Sequence, residues 1–307
     1  MAVSLNKDNF GEFFDPFNGM EDLNNKILRT PLDSDTTFSD DPLRMMRAAY
    51  FSSKLSLEID SICLKSIKKN AERITIVSQE RKTNELFKIL GTKKPSIGLN
   101  ILQESGLMNF VFPEIAVMYG MDQSNEYHHK DIFYHTLEVV DNAAQLSDKL
   151  DLRLAALVHD IAKPKTRRLS KSKGYTFYGH DDVGARMLKG ISTNMKFSNS
   201  TRDYITKLTS LHLRPISLAK KAIKAKASYL AFGSYYSSKT KKTNHVADIK
   251  ILTKIKKITK TPIVAIGGIN SENYKNLLLN NANFLAISGY IWNNKKYKPQ
   301  EAIEKLK

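Results

Sequence analysis

The chain has 307 residues, 41% of them hydrophobic, which is room for two domains with ordinary cores. Residues 1–10 carry no signal-peptide pattern, no apolar run reaches bilayer-spanning length, and one cysteine, Cys63, excludes an intrachain disulfide or a cysteine zinc cluster. A reduced, cytoplasmic setting without membrane contact is the expectation. The net charge of +17 is uneven: residues 217–307 hold 18 Lys, no Arg and 4 acids, leaving +3 for 1–216. Scattered lysines of this kind read as a solvated surface unless they cluster in space.

In chain order, Asp15-Pro16-Phe17-Asn18-Gly19 predicts a turn. Ser39 or Asp40 predicts the cap of a helix with Pro42 in its first turn, and Leu43, Met46, Ala49 and Tyr50 then share one face. Helical spacing returns over 85–90, 98–102, 133–146, 150–160 and 181–188, with Gly91, Pro95, Gly106 and Pro113 as breaks and a hairpin or loop over 174–179. Near 213–217 the period changes. Helices over 217–225, 249–258 and 271–279 now alternate with short apolar strands over 229–232, 263–266 and 284–288, the signature of a parallel sheet. The fold class expected is mainly α, a helical body plus a second helical domain, followed by a partial α/β segment.

The strings Asp15-Pro16-Phe17-Asn18-Gly19-Met20-Glu21-Asp22-Leu23, Arg29-Thr30-Pro31 and Phe38-Ser39-Asp40-Asp41-Pro42-Leu43-Arg44-Met45-Met46-Arg47, with Phe112-Pro113-Glu114, resemble the bacterial CCA-adding tRNA nucleotidyltransferases and poly(A) polymerases. The resemblance implies that Asp41 and Arg44, one turn apart on a helix face, read the edge of a nucleotide, with Arg47 beside them. A carboxylate can accept from an exocyclic amine while a guanidinium donates in a planar fork. The bland alternative is an i,i+3 surface ion pair. Nucleotidyl transfer also needs paired carboxylates on a strand to hold two metal ions, and the residues before Asp15 are too few to supply that strand.

His135, then Leu157-Val158-His159-Asp160-Ile161-Ala162-Lys163-Pro164, then Gly179-His180-Asp181 and His212, resemble the HD superfamily of metal-dependent phosphohydrolases. Neutral imidazole and carboxylate suit Mg²⁺ or a transition metal. The implied metal ligands are His135, His159, Asp160, His180 and His212. Lys163 or Arg167 could grip a substrate phosphate. The family's distal Asp is not visible where expected, so either His212 replaces it or the site is degenerate. His128, His129 and His245 are read as ordinary surface histidines.

Ala231-Phe232-Gly233-Ser234, Ser237-Ser238-Lys239-Thr240-Lys241-Lys242, Pro262-Ile263-Val264-Ala265-Ile266-Gly267-Gly268-Ile269 and Ala286-Ile287-Ser288-Gly289 resemble the C-terminal part of thiamine phosphate synthase, a TIM barrel. The resemblance implies phosphate binding by Ser238, Thr240, Lys241, Gly267, Gly268, Ile287 and Ser288. Backbone N–H groups after late barrel strands form such a site. About three strands of eight are visible, so a complementing chain would have to supply the rest.

The expected organisation is a helical RNA- and nucleotide-binding body over 1–115, an HD domain over 116–214 and a partial TIM barrel over 217–307. The expected partners are tRNA or a nucleotide for the first part and a phosphorylated small molecule such as thiazole phosphate for the last. The expected function is a CCA-adding-type body with a metal-binding HD domain, without its catalytic head, fused to a thiamine phosphate synthase fragment. The alternatives are an HD phosphohydrolase, a thiamine-pathway transferase completed by another chain, and a chimera with no independent activity.

Overall fold

The computed structural model describes residues 1–122, 131–170, 174–237 and 246–306. The chain divides into two compact units, Met1–His212 and Leu213–Lys307. Among the described residues no helix is long and apolar enough to cross a membrane.

The first unit is helical apart from small strand pairs. Ala2–Val3 lies antiparallel to Phe13–Phe14, and Ile27–Leu28 parallel to Glu58–Ile59. Short polar side chains start several helices by accepting backbone N–H groups that have no partner inside the helix. Asp33 caps Ser34–Asp40, Asp60 caps Ser61–Asn70, Asp131 caps Ile132–Leu146, and Ser198 caps Asn199–Leu211. The helix Leu43–Leu55 buries Leu43, Met45, Met46 and Ala49, in keeping with its apolar spacing. Gly98 lets the helix Pro95–Glu104 press against it: a Cβ there would lie 2.7 Å from Ile89 Cγ2 and 3.1 Å from the Ala49 carbonyl.

One element departs from the sequence reading. Ser39 and Asp40 do not cap the helix that follows Pro42, because they end a separate helix, Ser34–Asp40. Asp41 then takes an extended conformation, φ −136° and ψ 91°, as a residue before proline is pushed to do. Asp41 therefore stands at a break between two helices and not on one helical face with Arg44.

Arg153, 2% exposed, ties the helix ends of this unit together. Its guanidinium donates to the carbonyls of Leu90, Thr92, Ala144 and Ser147 at 2.8–3.1 Å and to Asp148 at 3.0 Å. These carbonyls lie at or just beyond the C-terminal ends of Gln79–Leu90 and Ile132–Leu146, where no intrahelical donor reaches. One continuous apolar core runs through the unit from Phe38 to Ile205.

The second unit opens with the helix Arg214–Lys224, so residues 214–217 form a first helical turn and not a linker. Its sheet has three parallel strands, Leu230–Phe232, Ile263–Ile266 and Phe284–Ala286, with Ile263–Ile266 in the centre. Ile263 and Ala265 are fully buried among Leu252, Ile255 and Leu277, while the alternate residues Val264 and Ile266 are less covered. Phe284 on the outer strand is 59% exposed. The expected partial α/β architecture is present. Barrel closure is not: among the described residues the sheet is an open three-stranded layer.

Candidate metal centre

Asp160 is the hub of the first unit's polar interior, with 2% of its surface exposed. Four helix ends bring imidazoles to it. His135 lies in the first turn of Ile132–Leu146, and His159 follows the last residue of Leu150–Val158. His180 is the first residue of His180–Asn194, after Gly179 at φ 73°, and His212 follows Asn199–Leu211. Gly184, one turn past His180, sets the spacing: a Cβ there would lie 3.1 Å from Thr209 Cγ2 and 3.6 Å from Ala162 Cβ. The helix carrying His180 thus lies close against the elements carrying Asp160 and His212.

The carboxylate has two sides. Oδ2 lies 3.0 Å from His159 Nε2, 3.8 Å from His135 Nε2 and 2.7 Å from Lys163 Nζ. Oδ1 lies 3.0 Å from His180 Nε2 and 3.6 Å from His212 Nε2, and these two nitrogens are 3.2 Å apart. Three rings are oriented by their far nitrogens. Nδ1 of His159, His180 and His212 lies 2.8, 2.6 and 2.6 Å from the carbonyls of Ala156, Phe177 and Thr209. A carbonyl only accepts, so each Nδ1 carries a proton and donates, which turns Nε2 of each ring towards Asp160: a protonated Nε2 donates there, and a neutral ring offers the lone pair that a cation would take. Backbone bonds of this kind are how metal-ligating imidazoles are aimed.

Burial pushes the Asp160 carboxyl up, but the charge of His159 and hydrogen bonds from His159, His180 and His212 outweigh it and hold it well below the usual carboxylate range. Burial pulls His159 down, and the neighbouring Asp160 charge more than reverses this, so the imidazole titrates above its ordinary value. The five side chains form two ligand groups sharing Asp160: His135, His159 and Asp160, and Asp160, His180 and His212. A donor set of nitrogens and one carboxylate fits a divalent transition metal, with Mg²⁺ a poorer match.

The other sequence candidates are more scattered. Arg44 Nε lies 3.7 Å from Asp41, and both Arg44 and Arg47 are exposed. Arg81, not singled out from the sequence, also approaches Asp41, at 3.9 Å. Asp41 Oδ1 accepts from the Leu43 N–H, so the side chain also caps the next helix. Lys163 is buried against Asp160, and Arg167 stacks over Tyr175 at 3.7 Å.

In the second unit Gly267 and Gly268 follow the central strand, and Ile287 and Ser288 follow the third. Parallel strands place both pairs at one end of the sheet, where the segment after Phe232 also leaves. Gly267 and Gly268 have φ of 99° and 63°, and a Cβ on Gly268 would lie 2.4 Å from the Ser237 carbonyl oxygen. Only glycine fits so close an approach in that backbone region. Ser238, Thr240 and Lys241 lie outside the described residues, as do His128, His129 and His245.

Comparison with known proteins separates the same two regions. Residues 56–118 match the family described as the probable RNA and SrmB-binding site of polymerase A, and residues 209–291 match thiamine monophosphate synthase. A thiamine-phosphate synthase of Pelagibacter ubique (strain HTCC1062) is 68% identical over 92 residues, 30% of this chain and 44% of that protein. A solved CCA-adding enzyme in complex with CTP aligns with TM-score 0.47 and 17% identity over 72% of this chain and 46% of its own. A tRNA nucleotidyltransferase with a primer tRNA and an incoming ATP analog aligns with TM-score 0.46 and 16% identity, over 84% and 62%. The chain spans about half the length of these proteins. The chain is thus similar to the polymerase A segment over residues 56–118 and to thiamine phosphate synthase over residues 209–291.

Proposed function

We propose that the first unit is an RNA-binding body of the tRNA nucleotidyltransferase type whose working centre is a divalent-metal site of the HD type, acting on phosphate esters of RNA or nucleotides. Along the chain, 1–115 would form the binding body, 116–214 the HD domain and 217–307 the barrel fragment. The observation that carries this reading is the convergence of four imidazoles on one buried carboxylate. His135, His159, Asp160, His180 and His212 would supply the candidate ligands. A cation there would make a bound water acidic enough to attack phosphorus near neutral pH. Arg44 and Arg47, both exposed on Leu43–Leu55, would contact phosphate or a base edge, with Asp41 as the accepting partner. A cytoplasmic setting suits the single free thiol, Cys63.

The test is elemental analysis of the purified chain together with phosphoester hydrolysis assayed on cyclic nucleotides. Bound metal and hydrolysis, both abolished by Asp160→Ala, are the expected result. A metal-free protein with an unchanged Asp160→Ala variant would end the reading.

A second reading concerns the tail. Gly267, Gly268, Ile287 and Ser288 at one end of a parallel sheet suit a phosphate grip of the thiamine phosphate synthase type. A complementing chain would then cover the sheet's open edges. Binding of thiazole phosphate that disappears in Lys241→Ala is the expected result, and no binding at millimolar ligand would remove this reading.

A further inference from the structure

The two ligand groups around Asp160 are not equivalent. On the Oδ1 side the three donor atoms stand 3.0, 3.2 and 3.6 Å from one another. A cation about 2.1 Å from each ligand needs donor separations of about 3.0 Å in an octahedron and about 3.4 Å in a tetrahedron. The observed triangle has that size. Both imidazoles are locked with Nδ1 donating to Phe177 and Thr209, so two nitrogen lone pairs and a carboxylate oxygen face each other at close range. With both rings neutral, such a cluster of acceptors is repulsive until a proton or a cation enters it.

The Oδ2 side differs in two ways. His135 Nε2 stands 3.8 Å from Oδ2, farther than any donor pair on the Oδ1 side. The Oδ2 side also has a resident positive charge: Lys163, 5% exposed, places Nζ 2.7 Å from Oδ2, on the oxygen that a second metal would need. The backbone holds Lys163 there, since its N–H donates to the Asp160 carbonyl at 2.9 Å at the start of the turn Lys163–Thr166. Phe177 packs over the ammonium at 5.4 Å and limits its exits.

We propose that the centre takes one divalent cation and not two, seated on Asp160 Oδ1, His180 and His212, with the Lys163 ammonium standing in for the second. This rests on the metal-centre reading above and adds to it a stoichiometry, a position and a residue that sets both. Lys163 is a positioning residue here: it neutralises and orients the shared carboxylate and excludes a neighbouring dication by like-charge repulsion. It is therefore not the substrate-phosphate ligand that its place after His159-Asp160 suggests.

The test is equilibrium dialysis of the full-length chain against Mn²⁺, with metal counted by elemental analysis and the bound state read by electron paramagnetic resonance. The native chain should hold one equivalent with an isolated-ion spectrum. Lys163→Met should hold two and show a spin-coupled pair, and Lys163→Arg should remain at one. His180→Ala and His212→Ala should each weaken the single site beyond the roughly 10–100-fold of an outer-shell change, while His135→Ala should stay within it. That contrast is read with Lys163 in place, so it stands even if Lys163→Met unfolds. Two coupled ions in the native chain would overturn the one-cation inference and leave the metal-centre reading intact. So would a His135→Ala loss equal to that of His212→Ala. No Mn²⁺ in any variant would overturn both.

Discussion

The two units solve the burial problem differently. The first closes on itself: one apolar core links residues as distant as Phe38 and Ile205, and helix ends gather its polar cluster around the buried Asp160. The second covers one face of a three-stranded sheet and leaves Phe284 and the outer edges open. Its candidate phosphate grip hangs on loops at one end of that sheet. The lesson is that a site assembled from distant helices depends on a completed core. A site built from strand-end loops takes its local geometry from its own sheet and glycine turns.

The contrast can be broken or sharpened by substitution. Arg153→Met should have the largest effect, roughly 3 kcal/mol or more, because four carbonyl acceptors at the ends of two helices lose their donor. The loss should appear in the denaturant transition of the first unit and leave that of the second in place; a shift of both together would show that the units do not unfold separately. Gly184→Leu should come next, at about 1–3 kcal/mol, since any side chain meets Thr209 and Ala162. It should also weaken metal binding without touching a ligand, which calorimetric titration would show. In the second unit Gly268→Ala should cost about 1–3 kcal/mol, because its φ of 63° and the Ser237 carbonyl at 2.4 Å both oppose a Cβ. Thermal unfolding of that unit alone should report it.

Smaller effects follow at the surface. Gly190→Ala, inside His180–Asn194 with open space around the new methyl, should stabilise the first unit by about 0.5–1 kcal/mol in chemical denaturation. Arg44→Ala should change stability by less than about 1 kcal/mol, since its ion pair with Asp41 is exposed. If the exposed arginines contact RNA, the same variant should nonetheless weaken tRNA binding in a filter assay. Unchanged tRNA binding would reduce Asp41 and Arg44 to the plain i,i+3 ion pair.

Much of this architecture is legible in the residue order. The central strand Ile263–Ile266 appears with the bounds that its apolar run announces, between Pro262 and Gly267. The helices around His135 and His159 appear within one or two residues of their apolar spacing. The helix Ser34–Asp40 is not legible, because Ser-Asp-Thr-Thr-Phe-Ser-Asp offers only Phe38 to an apolar stripe and its start rests on the Asp33 cap. Asp41 leaves the helix for a related reason: the proline that favours a helix start also disfavours helical backbone in the residue before it. Arg153 gave no signal at all, since a guanidinium that binds carbonyls leaves no motif.

By itself, the order of residues determined where helix gives way to parallel strand, which segments resemble which family, and which side chains are of metal-binding type. Local spacing carries that information, because periodicity, caps and glycine turns act over a few neighbours. Only the tertiary structure decided that His135, His159, His180 and His212 surround one carboxylate, that its two oxygens face different company, and that Lys163 lies beside one of them. Those facts depend on how four helix ends meet across stretches of chain up to 77 residues apart, and close packing, not local pattern, fixes where the ends meet.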